Sequence, residues 1–319
     1  MRPTVFLAAA CLGMVAACLP LAASSTSNQP VALVVATSGR VEVSRASSKS
    51  VERGTIGLAL LRGDKVQAGA GGAATLLFSD GNLLELSEKS AITIGAHPRV
   101  ARSREPNPVM ADVFKSVSGG VVGGSRETGL VALAPARRPP GRKEIILAPR
   151  QTEILDERPA FRWRRVRGAD RYRVVVSGEA GELWQRETGD TSFAYPADAA
   201  PLARETELLW TLHASNDSGP LEDEEASFRI KPTKEADAVR IRLDQIEKEA
   251  GGAAPYLAGA YLAGQGLLLD AIDRLESLRR SRPAEPGVHE ALGQLYRAVG
   301  LMDLAAAELQ LALTLGRQP

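Results

Sequence analysis

The sequence predicts a multidomain chain of three folded units: an all-β N-terminal domain, a β-sandwich in the middle and an α-helical array at the C-terminus. Three observations carry this reading. Short apolar runs with period-two alternation fill residues 30 to 95 and return between 144 and 230. From Lys234 onward the composition switches to Ala, Leu, Glu and Arg at helical spacing. Within that last stretch, small residues recur 34 positions apart. Period-two patterning places alternate side chains on opposite faces of a strand, whereas a 3.6-residue period lines one face of a helix. A chain of 319 residues has room for such a division, at roughly 100 to 150 residues per domain.

The first element is an export signal over residues 1–23. Arg2 precedes an apolar run from Val5 to about Ala17, and small residues lead into the polar stretch SSTSNQ. Two cleavage routes fit. Val15-Ala16-Ala17-Cys18 resembles a bacterial lipobox, which implies lipidation of Cys18; Leu21-Ala22-Ala23 suits ordinary signal peptidase. Either route predicts a periplasmic or outer-membrane location, with membrane attachment only through a lipid on Cys18. The other cysteine, Cys11, also lies in this segment, so the body of the chain has no thiol for a disulfide, a metal or a nucleophile.

Residues 30–100 form the all-β domain. Val41 and Val43 share one face of their strand while Arg40 and Glu42 share the other, and Asp80-Gly81-Asn82 supplies hairpin residues between two apolar runs. A meander or a small sandwich accounts for the pattern. The run Gly69 to Ala74 reads G-x-G-x-x-A, close to a dinucleotide-binding fingerprint. A pyrophosphate loop must open a helix, whose N-terminal N–H groups hold the anion. Here ATLLF is a strand and a turn follows at once, so no nucleotide site is expected. The positions Gly39-x-Val41-x-Val43, Leu60-x-x-Gly63-Asp64-x-Val66, Ala74-x-Leu76-x-Phe78-x-Asp80-Gly81, Leu84-x-Leu86 and Ser90-x-Ile92-x-Ile94 resemble the FecR domain of bacterial cell-envelope proteins. That resemblance implies a binding or sensing module. It does not extend to the sigma-factor-engaging cytoplasmic segment of transmembrane FecR proteins, because only a few residues precede the apolar run.

Residues 101–143 are rich in Pro, Gly and Arg and read as a linker, with a short helix at Ala111 to Gly119 and one strand at LVALAP. From 144 to 231 the strands return, and all three Trp of the chain fall between positions 163 and 210. Pro159-x-Phe161-x-Trp163 through Tyr172-x-Val174-x-Val176, with Thr206-x-Leu208-x-Trp210-x-Leu212, are similar to fibronectin type III-like modules. Leu208 stands where that family places its corner tyrosine, so the corner hydrogen bond is not expected there. Charge is split along this unit: Arg137 to Arg173 holds twelve Lys/Arg against five Asp/Glu, and Glu179 to Glu225 holds twelve Asp/Glu against two Arg. Solvated faces with cross-strand pairing account for this split, and the alternative is a basic pole for anionic lipid or polysaccharide.

Residues 234–319 form the helical array. Gly259 and Gly293, Gly266 and Gly300, Ala271 and Ala305, and Leu275 and Leu309 are all separated by 34, the tetratricopeptide (TPR) period. Two such repeats plus an amphipathic helix near Ala238 to Ala250 predict about five helices, near the minimum for a continuous core. Arrays of this type hold a peptide or protein in a concave groove. Tyr261, Gln294 and Arg297 are the partner-binding candidates on the first helix of each repeat.

No catalytic, cofactor-binding or metal-binding residues are predicted. His97, His213 and His289 fall one to each region with no ligand spacing, and His289 is expected to pack as an apolar side chain. Gly123-Gly124-Ser125-Arg126-Glu127 lacks the strand and helix of a nucleophile elbow. Carboxylates such as Asp64, Asp80, Glu85 and Glu88 read as turn formers and solvated strand positions. A net charge of +1 gives no reason to expect nucleic acid. The expected function is a non-catalytic envelope scaffold or ligand sensor acting through protein binding. The alternative is a peptidoglycan- or polysaccharide-binding module.

Overall fold

The computed structural model describes residues 29–95, 106–120 and 143–317. The export signal with Cys18, the LVALAP strand, the Gly123–Glu127 loop and His97 lie outside these residues. Eight strands build the first domain: β1 (Ala32–Ser38), β2 (Val41–Ser44), β3 (Val51–Arg53), β4 (Ala59–Leu60), β5 (Lys65–Ala68), β6 (Ala73–Phe78), β7 (Leu83–Leu86) and β8 (Ala91–Thr93). They form two four-stranded sheets, β4-β1-β6-β7 and β3-β2-β5-β8. This is a sandwich rather than a meander, since the chain changes sheet after β1, β3, β4, β5 and β7. Val34, Val41, Val43, Val66, Leu76 and Phe78 are all buried between the sheets.

The glycines of the apparent cofactor run sit at this change of sheet. Gly39, at φ +62°, faces the β5–β6 turn so closely that a Cβ would lie 2.3 Å from the Gly71 carbonyl oxygen. A Cβ on Gly72 would lie 2.2 Å from the Arg40 carbonyl oxygen. Two turns therefore pack backbone against backbone, which only residues without a side chain permit. Strands flank the run on both sides, and no helix follows it.

The alternation read from sequence predicts a solvated outer face, yet β1 is buried on both faces through Ala36. Ala32 and Val34 point into the sandwich, while Leu33 and Val35 join a second core shared with helices. Part of that cover is α1 (Pro108–Gly120), capped by Asn107, whose Oδ1 accepts from the N–H groups of Val109 and Met110 at 3.1 and 3.2 Å. Its stripe Met110, Val113, Phe114 and Val117 follows the i, i+3, i+4, i+7 pattern and is fully buried. The stretch read as linker thus contains a core helix, three residues longer at its start because Pro108 occupies the first turn, where a missing N–H costs nothing.

The middle unit has β9 (Ile146–Ala148), β10 (Thr152–Ile154), β11 (Ala160–Trp163), β12 (Arg171–Gly178), β13 (Gly181–Thr188), β14 (Ser192–Ala194), β15 (Glu207–Asn216) and β16 (Gly219–Ile230). A three-stranded sheet, β14-β11-β9, faces a five-stranded one, β10-β16-β15-β12-β13, in which β10 runs parallel to β16. Phe161, Trp163, Tyr172, Trp210 and Phe228 fill the space between, with Phe161 meeting Trp210 edge-on at 4.9 Å. Leu208 is core, as its sequence position implies. A tyrosine-to-backbone tie exists elsewhere: Tyr195 Oη donates to the Ala200 carbonyl at 3.0 Å.

Five helices complete the described chain: α2 (Thr233–Glu249), α3 (Ala254–Gly264), α4 (Leu268–Ser281), α5 (Pro286–Ala298) and α6 (Met302–Gly316), with a single 3₁₀ turn at Gly251–Ala253. Each helix packs on the next. The 34-residue spacing is visible in space. A Cβ on Gly259 would lie 2.9 Å from Leu275 Cδ2, and one on Gly293 2.6 Å from Leu309 Cγ, so the α3–α4 and α5–α6 hairpins close at matching points. Gly266 and Gly300 end the first helix of each pair at φ +78° and +80°, the left-handed cap that glycine adopts without strain.

Candidate functional site

The helical array is welded to both β-units. Toward the first domain, Glu285 at the start of α5 accepts from Thr37 Oγ1 at 2.8 Å and from the Ile56 N–H at 3.1 Å, while Arg282 donates to the Thr37 carbonyl at 2.8 Å. A Cβ on Gly287 would lie 1.8 Å from the Ile56 carbonyl oxygen, so the first turn of α5 rests directly on the 55–58 loop. Toward the sandwich, the turns at Gly266 and Gly300 receive the residues before and within β10. The Glu153 N–H donates to the Gly266 carbonyl at 3.0 Å, and Thr152 Oγ1 accepts from the Leu268 N–H at 2.9 Å. Arg150 Nε donates to the Val299 carbonyl at 2.8 Å, and its Nη1 meets Glu224 at 2.8 Å with both side chains almost wholly buried.

This docking also resolves the split charge of the middle unit. Arg164 pairs with Asp303 through two bonds of 2.7 and 2.9 Å, and Arg162 pairs with Asp273 at 3.0 Å. The bond to Arg164 holds the Asp303 carboxyl below its usual range against the opposing effect of burial. Three residues of the basic stretch, Lys143, Arg162 and Arg164, are thus paired with acids of the helices.

Of the three partner-binding candidates, Tyr261 is a correction. It is 8% exposed and packs in the shared core, where burial first, and Asp112 second, raise its phenol above the ordinary range against Arg242. The repeat register carries the signal, since Tyr261 corresponds to Leu295, also buried. Gln294 and Arg297 remain at the surface of α5, joined by a hydrogen bond from Arg297 to the Gln294 side-chain oxygen. The face of α3 and α5 that was expected to form an open groove is covered by α1, β1 and the 55–58 loop.

A cleft of about 210 Å³ opens at this junction, lined by Arg45, Ile56, Leu58, Tyr256, Glu290 and Gln294. Arg45 is not free within it. Its guanidinium is held by Glu52, by Asp64 at 2.7 Å and by the Ala59 carbonyl at 2.7 Å. Asp64 is buried, which by itself raises a carboxyl, but the N–H groups of Ala46 and Leu61 together with Arg45 bring it below its usual range. Tyr256 is 2% exposed, and its hydroxyl forms no hydrogen bond with any described residue. Burial, reinforced by Glu290 and Glu285, raises that phenol well above the ordinary range, so it is a permanent proton donor. Glu290 is exposed and has no ion-pair partner among the described residues. Neither Tyr256 nor Glu290 was singled out from sequence, although they stand 34 apart and therefore occupy the same repeat position.

Among the described residues no group of three or more His, Cys, Asp or Glu side chains gathers in metal-holding geometry. His213 lies 3.0 Å from Asp223 at the sandwich surface. His289 departs from the packing role expected of it: the ring is 3% exposed but bonds through Nδ1 to Glu308 at 2.6 Å and through Nε2 to the Pro283 carbonyl at 2.8 Å. Its place is apolar in register and polar in use, because Glu308 of α6 and the α4–α5 turn both present oxygens there. No described helix is long and apolar enough to cross a membrane.

No family model matches the chain, and no curated protein matches it. Among solved structures, the crystal structure of FN3tt is 19% identical, covering 28% of this chain and 95% of that one at a TM-score of 0.23. A two-domain fibronectin type III segment of chicken tenascin is 21% identical, covering 28% of this chain and 47% of that one at 0.20. The fibronectin(III)-like modules of Clostridium thermocellum CbhA are 9% identical, covering 65% and 82% at 0.21. At such scores the sandwich assignment rests on the strand pairing described above.

Proposed function

We propose that the protein is a non-catalytic scaffold or ligand sensor of the cell envelope, in which a FecR-like β-domain, a fibronectin type III-like sandwich and a tetratricopeptide-like helix pair act as one binding unit. The observation that carries this reading is the two-sided weld. Glu285 and Gly287 seat the first β-domain on α5, Arg150 and Thr152 seat the sandwich on the interhelix turns, and a cleft opens between the 55–59 loop and α5. Residues that position modules against each other build a composite surface, which supports a recognition role. The short apolar run and Cys18 support export, and mass spectrometry of the mature N-terminus separates a diacylated Cys18 from an unmodified start at Ser24.

A photo-crosslinking residue at Gln294, beside the cleft, tests the binding reading in cells that produce the protein. The expected result is a discrete protein adduct that the same probe at Leu183, on the far edge of the sandwich, does not form. Adducts at neither position, or equal adducts at both, overturn it.

A further inference from the structure

The cleft narrows its own ligand chemistry. The Tyr256 side chain is almost wholly buried, and its hydroxyl lies in the cleft lining with its phenol raised by burial, so it offers one hydrogen-bond donor to whatever enters. Gly57 keeps that donor accessible, since a Cβ there would lie 2.6 Å from Tyr256 Oη. The charge available at the rim is negative. Glu290 is unpaired, whereas the one cation in the lining, Arg45, is already shared by Glu52 and Asp64. An anionic ligand is therefore repelled, and a neutral acceptor with a cationic neighbour is favoured. Between these two groups the wall is apolar, formed by Ile56, Leu58 and Ala291. The only aromatic ring in the lining is buried, so no exposed face exists on which a sugar could stack.

We propose that the cleft between the 55–59 loop and α5 is a subsite for a basic peptide segment, with Tyr256 Oη donating to a main-chain carbonyl and Glu290 pairing with the following Lys or Arg side chain. This rests on the binding reading above and names the chemistry of its ligand. Gln294 lies one turn beyond Glu290 on α5, placed to meet the next peptide group.

The test uses the full mature chain and three end-blocked pentapeptides, of alanine with a central Lys, Glu or Ala, together with a soluble peptidoglycan fragment, followed by saturation-transfer NMR and titration. The Lys peptide is expected to bind at least tenfold more tightly than the Glu peptide. Glu290→Gln should abolish that preference while leaving weak binding of the Ala peptide, and Tyr256→Phe should weaken both Lys and Ala peptides by a similar factor of about five to ten. Thermal unfolding of the two variants confirms that each is folded. Equal binding of Lys and Glu peptides, indifference to Tyr256→Phe, or retention of the peptidoglycan fragment alone overturns the proposal. A crosslink at Gln294 without any peptide preference would sink this subsite and leave the scaffold reading standing.

Discussion

Asp270, in the first turn of α4, is surrounded by acids, and burial first, then Asp273 and Asp156, raise its carboxyl to about 6 from 3.8. A carboxyl whose folded value lies above its unfolded value is bound to its proton more tightly in the native state. Stability is then highest below pH 4 and falls as pH rises from about 4 to 6. Asp270→Asn removes this loss, so at pH 7.5 the variant should be more stable by on the order of 1 kcal/mol, discounted for partial exposure, with no advantage near pH 3.5. Urea midpoints at the two pH values check it, and a constant difference refutes the assignment. Tyr256→Phe is expected to change stability by less than about 1 kcal/mol, because the hydroxyl it deletes borders the cleft and makes no hydrogen bond with a described residue. A loss above about 1 kcal/mol in a thermal melt would show that the hydroxyl is satisfied within the protein. Both residues escaped the sequence reading, since neither burial nor the neighbourhood of a carboxylate is written in local pattern.

At the scale of elements, the repeat spacing was legible and geometrically meaningful. Gly259 and Gly293 were read as points of helix approach, and both meet a leucine of the partner helix. The two are not equivalent. At Gly293 a methyl would press on Leu309 Cγ at 2.6 Å and on the Ala305 carbonyl at 3.3 Å, whereas at Gly259 it meets Leu275 Cδ2 at 2.9 Å and Cγ at 3.0 Å, and the Ala271 carbonyl only at 3.6 Å. Gly-to-Ala in a helix gains up to about 1 kcal/mol in propensity, and overpacking costs about 1–3 kcal/mol. Gly259→Ala should therefore be close to neutral and Gly293→Ala destabilising by about 1–2 kcal/mol, an order that paired denaturation curves read directly. Strand existence was equally legible, from Val41/Val43 and Trp210/Leu212. What escaped was the second buried face of β1: Leu33 and Val35 look like the outer side of a half-solvated strand until α1 and α3 are laid across them.

Across the whole molecule, two ion pairs between or beside the units separate burial from mere contact. Arg150 and Glu224 are 7% and 4% exposed at their side chains, and Glu224 also accepts from the N–H groups of Ile145 and Ile146. Arg150→Ala takes one charged partner from that buried carboxylate and the donor from the Val299 carbonyl, a loss of about 3–5 kcal/mol. Arg162→Ala removes an exposed pair with Asp273 and should cost less than about 1 kcal/mol. Equal losses in chemical denaturation would contradict the sandwich-to-helix weld as described. By itself, the order of residues determined the local matters: which stretches form strands and which helices, and the 34-residue period, because period, propensity and turn chemistry act over a few neighbouring positions. Only the tertiary structure decided that the groove face of α3 and α5 is covered, that Tyr261 is core, that the basic stretch is paired with Asp273 and Asp303, and that Tyr256 and Glu290 border one cleft. Those outcomes depend on contacts between residues as far apart as Thr37 and Glu285, whose pairing is set by how three units fill space together rather than by any pattern along the chain.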